Sequence, residues 1–104
     1  MEYISWVANA SSTDLAATLN AEVQELVIRY GVAEAVLDWR HEAFDKSVHC
    51  NWHTAEGRSP TVRFDDDLNV RTFGDDPKEY NLLHQEHFEQ LIYDVVDTLV
   101  PGWG

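Results

Sequence analysis

Little in this chain is suited to the common chemistries. A single cysteine, Cys50, cannot close an internal disulfide, so no bridge framework holds the fold. Proline occurs three times and glycine five, which leaves no Pro/Gly-rich linker to divide the 104 residues. No apolar run reaches the roughly 20 residues that a membrane-spanning helix needs. The opening MEYISWVANASS has neither the basic start nor the apolar stretch of a secretory leader, and a cytoplasmic location is the expectation. Glycine-rich phosphate loops, dinucleotide fingerprints and strained nucleophile turns are also missing.

Positive charge is the other scarcity. Seven Lys and Arg stand against 19 Asp and Glu, a formal net charge of -12. The excess is spread out: residues 1–52 hold eight acids and three bases, residues 53–104 eleven and four. A field of this sign repels phosphate backbones and anionic membranes, so direct nucleic-acid and membrane binding are not expected. It draws in basic partners. Hydrophobic residues at 44%, twelve of them aromatic by count of Trp, Tyr and Phe, argue for a folded core despite the charge.

The apolar pattern predicts one α+β domain over residues 1–104. Residues 3–8, YISWVA, are too few to assign as strand or helix. Ser11 with Asp14 three residues on is a capping box, followed by Leu15, Leu19, Val23, Leu26, Val27 and Tyr30 at helical spacing and Gly31 as a stop. Val32, Val36, Trp39 and Ala43, widened by Leu37 and Phe44, predict a second helix and so an N-terminal helical hairpin. At Ser47 the period changes to two. Val48, Cys50 and Trp52 alternate with His49, Asn51 and His53; Val62 and Phe64 flank Arg63; Leu68, Val70 and Thr72 share a face. A short antiparallel hairpin or three-stranded sheet fits. Asp76, Pro77 and Glu79 then signal the start of a long amphipathic helix to about Val100, with Phe88, Leu91, Ile92, Val95 and Leu99 inward and Glu86, Gln90, Asp94 and Asp97 outward.

Three kinds of site can be weighed. Cys50-x-x-His53 and His84-x-x-His87 supply four ligands for a zinc-binding alternative. A strand over 47–53 sets Cys50 and His53 on opposite faces, however, and the expectation is no metal and no cofactor. With that reading His84 lies near the core stripe and His49, His53 and His87 at the surface. Asp65-x-Asp67-x-Asn69 opens like a calcium loop, but Val70 and Asp76 stand where Gly and Glu are required. Cys50 with a histidine could form a thiol–imidazole pair, yet no oxyanion loop accompanies it, and no catalytic residue is assigned. Arg58, Arg63 and Arg71 near Trp52 and Phe73 are too few among many acids to track a phosphate chain.

What survives is the acidic surface. Asp65, Asp66, Asp67, Asp75, Asp76 and Glu79 around the sheet, with Glu86, Asp94 and Asp97 on the last helix, are the candidate partner-binding residues. Carboxylates so spaced can imitate a phosphate backbone in front of a basic protein that handles nucleic acid. In size, composition and lack of motif the chain resembles small phage inhibitors of host nucleases, anti-CRISPR proteins among them. The reading is a non-enzymatic interaction protein of that type. A further alternative is an oligomeric accessory subunit with Trp103 as an interface anchor.

Overall fold

Alternation at Ser47–His53 is the pattern of a strand with one buried face, and that strand sits inside the sheet. In the computed structural model, which describes residues 2–31, 35–42, 46–55, 57–65, 67–73 and 76–100, the chain forms three helices and five strands. In order they are α1 (Tyr3–Asn9), α2 (Ser12–Arg29), β1 (Val36–Glu42), β2 (Ser47–His53), β3 (Thr61–Phe64), β4 (Asn69–Thr72), β5 (Glu79–Asn81) and α3 (Gln85–Leu99). The strands make one antiparallel meander, β1-β2-β3-β4-β5, each paired with its neighbour in sequence.

The period-two rule then assigns the faces. Val48, Cys50, Trp52, Val62, Phe64, Val70 and Tyr80 are buried in one cluster with Leu15, Leu19, Val23 and Val27 of α2 and Leu91, Val95, Val96 and Leu99 of α3. The helices therefore cover that face. The opposite face carries His49, Asn51, Arg63, Arg71 and Glu79, with no buried apolar side chain among them. Helix α2 begins as its capping box predicts: Asp14 N–H donates to Ser11 Oγ at 3.1 Å, and Ser11 N–H to the Asp14 carboxylate at 3.2 Å. It ends at Gly31, whose φ of 85° is the left-handed conformation that glycine adopts at low cost.

Three expectations are corrected. Residues 36–42 are strand β1, not the second arm of a helical hairpin. Val36, Leu37 and Trp39 fit either period over so short a run, and pairing along all seven residues with β2 decides it. Val32, Ala43 and Phe44 lie outside the described residues. The sheet has five strands where the pattern suggests two or three, because β1 and β5 both carry helical signals in the sequence. The last helix starts at Gln85, not beside Pro77. Tyr80 and Leu82 are both buried two residues apart, which demands extended chain, and Thr72 N–H to Lys78 O and Leu82 N–H to Leu68 O, each 2.9 Å, tie the segment to β4. His84 is consequently not near the core stripe. It stands exposed at the N-cap of α3. Residues 3–9, undecided by pattern, form α1, held by Tyr3 Oη donating to Leu82 O at 2.6 Å and by Trp6 stacked on Phe88.

Among the described residues no helix is long and apolar enough to cross a membrane.

Candidate functional site

Helix α3, QEHFEQLIYDVVDTL, contains four carboxylates and neither Lys nor Arg. Its buried face is Phe88, Leu91, Val95, Val96 and Leu99, with Ile92 at the margin. Glu86, Glu89 and Asp97 are exposed. At 1.5 Å rise per residue, Glu86 and Asp97 lie about 16 Å apart along the axis on nearly the same line. The N-terminal carboxylate suits the helix dipole, whereas Asp97 in the last turn opposes it and has no basic neighbour on the helix to offset it.

Asp94 departs from the outward position that the sequence suggests. Its side chain is only 21% exposed, turned toward the sheet. Tyr80 donates its hydroxyl to one Asp94 carboxylate oxygen, Lys78 Nζ lies 3.8 Å from the same oxygen, and Gln90 Nε2 donates to the other at 2.8 Å. Beside them opens a cleft of about 390 Å³ between α3 and the ends of β3–β5, lined by Asp76, Lys78, Tyr80, Asp94, Asp97 and Phe73 among others. Burial, then the Asp94 hydrogen bond and charge, and then Asp76, raise the Tyr80 hydroxyl well above its ordinary value. It stays protonated and acts as a donor. Arg58 Nη1 donates to the backbone carbonyl of Thr98, one of the lining residues, at 3.2 Å.

The candidate acids thus fall into separate places. Asp76, Asp94 and Asp97 meet at the cleft, and Glu86 extends the same helix. Asp65 and Glu79 lie on the opposite side, on the sheet's open face. There Arg63 Nε is 2.9 Å from one Asp65 oxygen and Arg71 Nε 3.8 Å from the other, while Glu79 faces Arg71 in register. These acids are balanced by the arginines that the sequence showed near them. Asp67 is exposed at the β3–β4 turn, accepting from Asn69 N–H at 3.3 Å. Asp66 and Asp75 lie outside the described residues, as does Trp103. Sequence reasoning missed Tyr80 and Lys78 as neighbours of Asp94. The available signal was the spacing of Tyr80 and Leu82, which reads as strand once Pro77 is placed in a turn.

The four zinc-alternative ligands are not brought together. Cys50 is fully buried on the helix side of β2, while His53 points to the open face, with Nε2 3.0 Å from Asp38. His84 and His87 are neighbours, their ring centroids 5.0 Å apart, and His87 Nδ1 accepts from Asn81 N–H at 3.0 Å. No group of three or more His, Cys, Asp or Glu side chains is arranged to hold a metal among the described residues.

Burial pushes the Cys50 thiol up to about 12 from its ordinary 9, so at neutral pH it is a small apolar core group with no thiolate character. The folded value lies above the unfolded one. Its contribution to stability is therefore intact below pH 9 and lost as pH rises from 9 through 12. Tyr3 is raised to about 12 from 10 by burial and then by Glu86 and Glu89, and with Tyr80 it adds to the loss above pH 10. Chemical denaturation followed against pH should show stability declining beyond about pH 9. Cys50→Ala should flatten the segment between pH 9 and 10, below the ordinary tyrosine value; an unchanged slope there would contradict the assignment.

No family model matches the chain, and neither a curated protein nor a solved structure does.

Proposed function

We propose that this protein is a non-enzymatic interaction module that engages a basic, nucleic-acid-handling partner through the acidic solvent face of α3 and the adjoining cleft. The observation that supports it most is charge segregation. The sheet's carboxylates sit against arginines, while α3 presents Glu86, Glu89 and Asp97 with no Lys or Arg in the helix, His84 at its N-cap being 4.0 Å from Glu86. A rigid helix holds these charges at fixed spacing, as a surrogate for a phosphate track must. Asp76 extends the negative surface into the cleft, where Lys78 lies beside Asp94. An inhibitor of nucleic-acid machinery, of the phage or mobile-element type, is the role this surface suits, and Asp67 adds a further exposed carboxylate at its turn.

Long-range attraction of this kind acts collectively and is screened within about 8 Å at physiological ionic strength. Affinity capture from a host lysate, read by mass spectrometry, should therefore return basic nucleic-acid-handling proteins, released by salt. The triple neutralisation Glu86→Gln, Glu89→Gln, Asp97→Asn should lose them, with stability changed by no more than about 0.5 kcal/mol per site. Neutralising Glu22 and Glu25 on α2 should matter less. A partner that is retained at high salt, and equally by the triple variant, would refute the electrostatic reading.

A further inference from the structure

Strand β1 forms one edge of the sheet, and its sequence suits pairing with itself. Seven residues long, it has neither proline nor lysine, two of the usual protections of an edge, whereas the other edge, β5, has only three residues. Val36 is 48% exposed and Trp39 51%.

The hydrogen-bonding phase of the meander says which β1 groups face outward. Trp52 N–H donates to Pro60 O at 3.1 Å, and Phe73 N–H to Thr61 O at 3.3 Å, so Cys50 and Trp52 direct their backbone groups to β3. His49, Asn51 and His53 then direct theirs to β1, where they meet Arg40, Asp38 and Val36 in register. The alternate residues Leu37, Trp39 and His41 are left with N–H and C=O groups pointing away from the sheet.

An antiparallel partner must match these outward groups, and a two-fold axis restricts the match further. Charge then decides where the axis falls. With Leu37 opposite Trp39 of a second copy, Asp38 faces Asp38. With Trp39 opposite His41, Arg40 faces Arg40 and Asp38 faces Glu42. With Trp39 opposite Trp39, Asp38 faces Arg40 in both directions, as a close, non-hydrogen-bonded pair with Cα atoms about 4.5 Å apart. Of these three registers only the last pairs opposite charges. His41 opposite His41 would also set Arg40 against Glu42 but joins only residues 40–42, whereas the Trp39 register alone overlaps all seven residues of the strand. It also sets the two half-exposed indoles against each other while Leu37, Trp39 and His41 exchange backbone hydrogen bonds.

We propose that the protein forms a two-fold dimer through β1, in the register that places Trp39 against Trp39 and Asp38 against Arg40, making one sheet continuous across both copies. This surface is separate from α3, and the dimer stands or falls without the partner proposed above.

Sedimentation of the full chain at physiological ionic strength should show a dimer. Asp38→Arg sets two guanidinium groups face to face, and Arg40→Asp sets two carboxylates face to face. Each variant alone should therefore weaken dimerisation by at least about tenfold, the effect of 1.4 kcal/mol. Mixed in equal amounts, the two variants should form a heterodimer, because both facing pairs then join a guanidinium of one chain to a carboxylate of the other. Recovery on mixing also shows that both variants are folded. A wild-type chain that stays monomeric up to about 1 mM overturns the proposal. So does a dimer insensitive to both substitutions, or one that mixing fails to restore.

Discussion

Trp52→Ala should lower the unfolding free energy by about 3–5 kcal/mol, the range for removing a large aromatic from a closed core. Among the described residues Trp52 is the largest fully buried side chain, at 0% exposure on the sheet's covered face. Its loss opens a cavity between β2 and α2 that rigid strands on either side cannot close. It also removes a polar tie. Trp52 Nε1 donates to Asn20 Oδ1 at 3.0 Å, Gln24 Nε2 donates to the same oxygen at 3.1 Å, and Gln24 reaches on to Ala35 O at 2.5 Å. Trp52→Phe keeps most of the bulk and forfeits the indole donor, so it should cost less, about 1–3 kcal/mol. Urea titrations followed by circular dichroism would show both as shifts in midpoint with an unchanged slope. A Trp52→Ala midpoint close to wild type would mean that this face of β2 is not the core.

The placement of Trp52 was legible in the sequence because alternation over 47–53 is unambiguous: Val48, Cys50 and Trp52 on one face, three polar residues on the other. The α2 stripe and its Ser11–Asp14 cap were equally plain, since each rests on local chemistry. Strand β1 was not legible. Val36, Leu37 and Trp39 satisfy a helical stripe as well as a two-residue repeat, and only pairing with β2, a non-local contact, separates the two. At Asp76-Pro77 a sound local start signal lost to tertiary demand, because Tyr80 and Leu82 both enter the core. The same competition hid part of the candidate site. A helix continuous from Pro77 would hold Tyr80 on the same helix as Asp94 and out of its reach, whereas on β5 its hydroxyl meets that carboxylate. Composition alone could not distinguish Asp65, held between Arg63 and Arg71, from Glu89 or Asp97 on a helix without Lys or Arg.

Phe88→Ala and Leu91→Ala should each destabilise strongly, Phe88 by about 3–5 kcal/mol and Leu91 by about 2–5 kcal/mol, while Glu86→Ala should change stability by about 0.5 kcal/mol or less. Leu91 is fully buried where α3 meets the sheet and α2. Phe88 is 7% exposed and joins α1 to α3: Trp6 stacks on it at 5.9 Å between ring centroids, and Tyr3 lies tilted at 6.2 Å. Since Val7 is the one buried residue of α1, removing the Phe88 ring should release that helix before the rest unfolds. Amide exchange would show it as early loss of protection over residues 3–9 in Phe88→Ala and not in Leu91→Ala. Glu86 sits in the first turn, where a negative charge favours the helix dipole by roughly 0.3–1 kcal/mol. Its removal also relieves repulsion in a chain of net charge -12, so the two effects oppose each other. Comparable losses from all three substitutions would place Glu86 on a packed face and leave α3 without the free acidic side that the proposed interaction requires.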